Sequence, residues 1–217
     1  ACVANSILSV FSNCGQDCCA RSRFIVSAKI TDQFLTELVA KAKTLKIGDP
    51  LNPETEIGPM ISNAQRRRVL DYVDIGKQEK AELVWGGTAL DKKNGQSKGY
   101  FIVQAVFAKT TSNMRIVQEE IFGPVVCVMP FNDEEEAARL ANDSIYGLSG
   151  SIWTNNAARA IRMAKAVKSG VLSINSSSSV HLEAPFGGYK QSGLGRELGM
   201  KALETYSETK TVFFSEV

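Results

Sequence analysis

The sequence predicts an α/β protein: a doubly wound, mostly parallel sheet with flanking helices. Three observations carry that reading. Apolar residues recur at helical spacing in several windows, and short runs rich in β-branched and aromatic residues lie between those windows. The two kinds of segment then alternate along most of the 217 residues, with no internal repeat and no linker. Strands that alternate with helices are joined by crossovers, which makes their sheet parallel and clothes it with helices.

Taken in order, Val3, Ile7, Val10 and Phe11 fall on one face of a first helix, which Gly15 is expected to end. Residues 23–28 read as a buried strand. Phe34, Leu35, Leu38, Val39, Ala42 and Leu45 form the stripe of a second helix, stopped by the turn over 47–50. Ser62, with Gln65 three residues on, has the spacing of a capping box and opens a third helix carrying Val69, Leu70 and Val73 inward. A short strand over 83–85 is closed by Gly86 and Gly87. Residues 91–99 read as a surface loop, and 100–107 as a strand.

Residues 125–131 are so apolar that the strand they form must be covered on both faces. Asn132 is expected to cap the next helix, with Asp133, Glu134, Glu135 and Glu136 at its positive end. Residues 148–154 read as a strand, and Asn155 as the cap of a helix carrying Ile161, Ala164 and Val167. Further on, 171–174 read as a strand, 197–206 as a helix and 210–214 as a terminal strand that needs an edge to pair with.

Composition narrows the function classes. A hydrophobic content of 44% with 22% charged residues is that of an ordinary globular protein. The formal net charge of +2 gives no electrostatic reason for a nucleic-acid or membrane partner. Arg66, Arg67 and Arg68 are the densest basic run and read as a solvated helix face. No apolar stretch is long enough to span a bilayer, and no signal peptide opens the sequence, which starts inside a helical pattern as a piece of a longer protein would. The five cysteines, three of them crowded between Cys14 and Cys19, make a poor disulfide framework and no zinc spacing, so a reducing, cytoplasmic compartment is expected.

Four stretches stand out, and three of them, the first, second and fourth, carry chemistry. The first is FSNCGQDCCARS over 11–22, where Cys18 follows a glycine turn at the junction of a helix and a strand; a thiol so placed can face a cleft. Phe11, Gly15, Gln16 and Cys18 match in full the pattern Phe-x-x-x-Gly-[Gln/Glu]-x-Cys, and the stretch resembles the cysteine signature of the aldehyde dehydrogenase superfamily. The second, QEEIFGPVV over 118–126, resembles that family's Glu-x-Phe-Gly-Pro motif. The third, NDSIYGLSGSIW over 142–153, resembles its Asn-x-x-x-Tyr-Gly-Leu segment. In the fourth, Asn175, Phe186, Gly187, Gly188, Lys190, Ser192 and Gly193 match Asn-x(10)-Phe-Gly-Gly-x-Lys-x-Ser-Gly. The resemblance covers essentially the whole chain.

That resemblance implies a role for each matched position. Cys18 is the nucleophile, and Cys14 and Cys19 are bystanders. Glu120 holds the nicotinamide ribose hydroxyls of NAD or NADP, with NAD favoured, and Phe122 packs beside the ring. Phe186 lines the aldehyde tunnel. Asn175 and Val180 belong to the segment shaping its entrance, where Val180 stands in place of a frequent aromatic and widens the mouth. The only histidine, His181, lies in this loop and reads as a surface residue.

The implied activity is oxidation of an aldehyde to a carboxylic acid through a thiohemiacetal and a thioester. A CoA-acylating semialdehyde dehydrogenase relative and an inactive binding or assembly domain stay open as alternatives. Residues 1–205 would be a catalytic domain and 206–217 a strand for homo-oligomer assembly. Most of the cofactor site, the general base and an oxyanion asparagine would lie outside this chain, so by itself it should fold without oxidising aldehydes. The glycines over 193–199 miss the GxGxxG spacing by one residue, and no phosphate-cradling loop is visible.

Overall fold

The computed structural model describes residues 2–90 and 99–216; apart from Gly99, the loop expected over 91–99 lies outside them. It is an α/β fold with two sheets. The first has the strand order β1-β4-β3-β2, with β1 Arg23–Ser27, β2 Glu82–Trp85, β3 Ala105–Ala108 and β4 Val125–Phe131. β1 and β3 run parallel to β4, and only β2 is antiparallel. β5 Ser149–Ile152 and β6 Val171–Ile174 form a separate parallel pair. The parallel character follows from the crossovers: α2 Thr31–Thr44, α3 Asn63–Gln78, α4 Arg115–Gln118, α5 Glu134–Asn142 and α6 Ala157–Ala166 intervene between strands, while α1 Cys2–Phe11 precedes β1.

The core sits on β4, whose first five residues are buried as their composition requires. β3 beside it is buried throughout. Val3, Ile7, Val10 and Phe11 of α1 all enter this core, with Phe11 completely enclosed. α1 and α5 pack against β4, and α2 against β1. The Ser62 hydroxyl accepts from the Gln65 amide at 3.1 Å, so α3 begins where the capping pattern placed it.

Several expectations are corrected. α1 stops at Phe11, and a short 3₁₀ turn over Ser12–Gly15 follows before the nucleophile loop. β1 is only half-buried, as an edge strand whose outer side pairs with no strand among the described residues. The strand expected over 100–107 is reduced to Ala105–Ala108, preceded by isolated bridges at Tyr100 and Ile102. Both expected caps fall one residue later. Asp133 accepts from Glu136 N–H at 2.8 Å while Glu136 reaches back to Asn132 N–H, and Asn156 accepts from Arg159 N–H at 2.9 Å. The helix expected over 197–206 shrinks to α7 Ala202–Thr205, because Leu198 and Gly199 take left-handed backbones. Residues 207–216 form no strand and pair with none of the edges of the two sheets; Phe213 and Phe214 are each 87% exposed.

Candidate active site

The Cys18 loop is built by three successive left-handed residues. Asn13, Cys14 and Gly15 have φ of 50°, 56° and 69°. Such a run reverses the chain within one turn, and it persists only where side chains hold it. Asn13 Nδ2 donates to the Gln16 carbonyl at 2.9 Å, and Gln16 Nε2 donates back to the Asn13 carbonyl at 3.1 Å. Cys14 is fully buried and anchors the turn in the core. Gln16 Oε1 accepts from Ile61 N–H at 2.9 Å. The Asp17 carboxylate then accepts from Cys19 N–H at 2.7 Å, and Arg21 N–H donates to the Ser9 carbonyl at 2.9 Å. Cys18 is left exposed at the tip of this turn.

Gly15 also explains why two motifs far apart in sequence belong together. A Cβ at Gly15 would lie 2.2 Å from the Gly123 carbonyl oxygen. Only a glycine lets the nucleophile loop lie on the Gly123-Pro124 turn. Gly123 in turn sits against Val69, 2.3 Å from where its own Cβ would be.

The segment carrying Glu120 and Phe122 is held from α3. Gln65 Nε2 donates to the Ile121 and Phe122 carbonyls at 3.0 and 2.9 Å, and Arg68 donates to the Glu120 carbonyl at 2.7 Å. Phe122 takes a left-handed backbone, φ 55°, and the residue is 40% exposed. Beside it, Arg115 and the Tyr72 hydroxyl hold the Glu119 carboxyl down to about 2, leaving Glu120 as the solvent-open carboxylate of the pair. Arg68 is therefore more than part of a solvated face, a role that its place in a three-arginine run concealed.

Cys18, Glu120 and Phe122 share one cleft of about 1340 Å³, which opens between β1 and β5. That exceeds the ~300–1,000 Å³ of an ordinary small-ligand pocket. Asn175, Val180 and Phe186 do not line it. Asn175, with φ 53°, directs its amide to Thr154, accepting from its N–H at 2.9 Å and donating to its carbonyl at 3.0 Å. Val180 is 55% exposed, and half-buried Phe186 is bridged to Glu197 through two main-chain hydrogen bonds of 2.7 and 2.8 Å.

Much of the fourth motif has a local structural explanation. Lys190 Nζ donates to the Asn142 and Ser144 carbonyls at 2.7 and 2.8 Å. Ser192 Oγ accepts from Gly147 N–H at 2.9 Å, and the Gly187 carbonyl lies 1.7 Å from where a Gly170 Cβ would stand. The third and fourth motifs are thus two halves of one interlocked unit.

Chemically, the cleft offers a thiol, a carboxylate and an apolar ring. Burial, followed by the Cys19 thiol and the Asp17 carboxylate, pushes the Cys18 thiol above its ordinary value, so ionising it calls for a base. Burial pushes Cys14 and Cys127 much further, to about 12 each. Limited iodoacetamide treatment at neutral pH, mapped by peptide mass, is therefore expected to label Cys18 well before Cys14 and Cys127. Earlier labelling of either buried cysteine would remove Cys18 from its role.

A model of the Aldehyde dehydrogenase family matches residues 1–212. The betaine aldehyde dehydrogenase of Bacillus subtilis is 46% identical over 211 residues, which are 97% of this chain and 43% of that protein. An aldehyde dehydrogenase of Emericella nidulans is 44% identical over 94% of this chain and 40% of its own length. Among solved structures, a betaine aldehyde dehydrogenase point mutant of Staphylococcus aureus, in complex with NAD+ and with a BME-modified cysteine, superposes with a TM-score of 0.91. It is 41% identical, over 94% of this chain and 41% of that one. HpcC of Thermus thermophilus gives 0.90 at 38% identity, over 99% of this chain and 44% of that one. The chain spans less than half the length of these relatives.

Proposed function

The chain belongs to the aldehyde dehydrogenase family, and we propose that it is the thiol-bearing part of an enzyme oxidising an aldehyde to a carboxylic acid. One observation carries this reading: Cys18 is the exposed cysteine of the described chain and shares a cleft with Glu120 and Phe122. Small aldehydes related to betaine aldehyde are the proposed substrate class, on the strength of the relatives' names.

Cys18 Sγ attacks the carbonyl carbon, its proton passes to a base outside the described residues, and a thiohemiacetal forms. Cysteine suits this step because the thiolate is strongly nucleophilic even as a small fraction. The Cys18 N–H donates to the developing oxyanion, a contact of the kind worth ~3 kcal/mol. NAD(P), when bound, supplies the hydride acceptor, with NAD favoured because a structural relative was solved with it.

The nicotinamide end fits the residues present. The Glu120 carboxylate is open to accept from both ribose hydroxyls, and the Phe122 face, held in a left-handed backbone, restricts the ring to one side of the cleft. Once the thiohemiacetal carbon has given up its hydride to that acceptor and its hydroxyl a proton, a thioester remains on Cys18; water then attacks it, and the Cys18 thiolate departs as a good leaving group. On their match to the family motif we assign Phe186 to the aldehyde path and Val180 to a wide mouth, both outside the cleft that holds Cys18, with Asn175 bracing Thr154. The pyrophosphate and adenine would be bound by parts beyond this chain, so we expect residues 1–217 alone to turn over no aldehyde. Positioning of two reactants is worth ~7–11 kcal/mol, and a single ribose contact forfeits most of it.

The full-length protein should form NADH from an aldehyde without added CoA; NADH formed only with CoA would make a thiol the acyl acceptor instead. Glu120→Ala should raise the KM for cofactor about tenfold and leave Cys18 alkylation unchanged, whereas an unchanged KM would return Glu120 to a merely local role.

We further propose that 206–217 is a strand that completes a sheet of another subunit, since Val212, Phe213 and Phe214 lie exposed on it. Deleting residues 210–217 should lower the sedimenting mass, and an unaltered mass would refute that. The five free cysteines fit a reducing cytoplasm, and no helix among the described residues is long and apolar enough to cross a membrane.

A further inference from the structure

Among the described residues, Arg21 is the one buried charged side chain, with 8% of its surface exposed. A guanidinium withdrawn from water usually faces a carboxylate. This one is hydrogen-bonded to no carboxylate among the described residues. Its Nε donates to Ser151 Oγ at 3.0 Å, and one terminal nitrogen donates to Ser149 Oγ at 2.6 Å and to the Cys19 carbonyl at 2.5 Å. The other reaches Ser179 Oγ at 2.5 Å and, more weakly, the Gly150 and Ser177 carbonyls at 3.4 and 3.5 Å.

These acceptors come from three places. Cys19 adjoins the nucleophile. Ser149, Gly150 and Ser151 are the start of β5, across the cleft. Ser177 and Ser179 belong to the serine run that precedes Val180, and Ser177 Oγ also donates to the Asn5 carbonyl of α1 at 2.9 Å. One planar fork thus joins the nucleophile turn, the opposite wall and the mouth segment. The fixed geometry of five donors allows this, whereas the three donors of an ammonium on a flexible stem cannot reproduce it. The Asp17 carboxylate acts on the guanidinium only through space, and every acceptor of the fork is neutral, so the fork's directed contacts serve geometry.

We propose that Arg21 is a positioning residue: by tying the Cys19 carbonyl to β5 and to the 177–179 segment, it makes the nucleophile turn and the substrate mouth one rigid unit. This rests on the reading of Cys18 as the nucleophile. It also gives the serines around the cleft a definite task, as acceptors that hold the fork.

The test uses the full-length protein with Arg21→Met, which keeps the side chain's length and removes every donor, and with the double variant Ser149→Ala/Ser151→Ala, which keeps the charge and removes two acceptors. Arg21→Met should lower the Cys18 iodoacetamide rate about tenfold and kcat/KM for aldehyde at least tenfold, while the KM for cofactor stays within twofold. Its Tm should hold or rise, because a buried cation has been removed. The double variant should move the same two readouts in the same direction by about threefold, and it decides the matter alone if Arg21→Met misfolds.

Alkylation and kcat/KM both within twofold of the unsubstituted protein, in both variants, would overturn the proposal. So would a loss of activity that tracks Tm alone. Failure of the underlying reading would appear differently: the unsubstituted protein would keep its activity after Cys18 had been fully alkylated.

Discussion

Gly15→Ala should destabilise the protein by about 2–5 kcal/mol, the sum of a left-handed backbone for alanine and forced overlap in a packed interior. Gly15 has φ +69°, and the new Cβ would lie 2.2 Å from the Gly123 oxygen, 2.4 Å from its carbon and 2.8 Å from Pro124 N. All three are backbone atoms, so no rotamer change relieves the overlap. Either the nucleophile loop lifts off the Gly123-Pro124 turn or that turn moves, and Phe122 with it. The expected readout is a Tm lowered by roughly 5–15 °C, with slower Cys18 alkylation in whatever remains folded. Gly58→Ala is the control. Its Cβ would meet Pro50 at an ordinary 3.8 Å, so its stability should stay within about 0.5 kcal/mol of the unsubstituted protein. Equal Tm values for the two variants would mean that the two loops are not locked together.

Cys18→Ser should abolish aldehyde oxidation by the full-length protein, lowering kcat by at least about 10⁴-fold, the scale seen when a covalent nucleophile is removed. The hydroxyl is a far weaker nucleophile at neutral pH, and no described residue is placed to activate it. Because Cys18 is exposed at the tip of its turn, Tm should change little. Cys19→Ser should retain most of the activity, since the contacts that hold the turn use the Cys19 main chain: its N–H donates to Asp17 and its carbonyl accepts from Arg21. The reverse pattern, with Cys19 essential and Cys18 dispensable, would transfer the chemistry one residue along.

What the sequence made legible was whatever depends on local pattern and on strong apolar signals. The stripe of α1 predicted its buried face, and the polar-free run over 125–129 predicted the centre of the first sheet. Ser62 and Gln65 marked the start of α3 because a capping side chain acts within three residues. The motifs singled out Cys18, Glu120 and Phe122, and all three line the same cleft.

What stayed hidden depends on partners far apart in the chain. Gln65 and Arg68 look like surface helix residues until the 120–122 segment lies against them. Arg21 spans more than a hundred positions to reach its serines. The separation of β5 and β6 from the first sheet leaves no local trace, since each strand reads the same in either sheet. The short α7 reflects two left-handed residues, one of them Leu198, which composition does not forecast.

Whether Cys18 carries the acyl group during turnover is measured most directly by the mass of its peptide. The full-length protein, mixed with an aldehyde and NAD at saturating concentration and quenched in acid within the first turnover, should show the acyl mass added to the peptide containing Cys18. Hydroxylamine should remove that mass, as it cleaves a thioester, and omission of NAD should prevent it. An acid-stable adduct on any other residue, or turnover with no acyl mass on Cys18, would contradict the account.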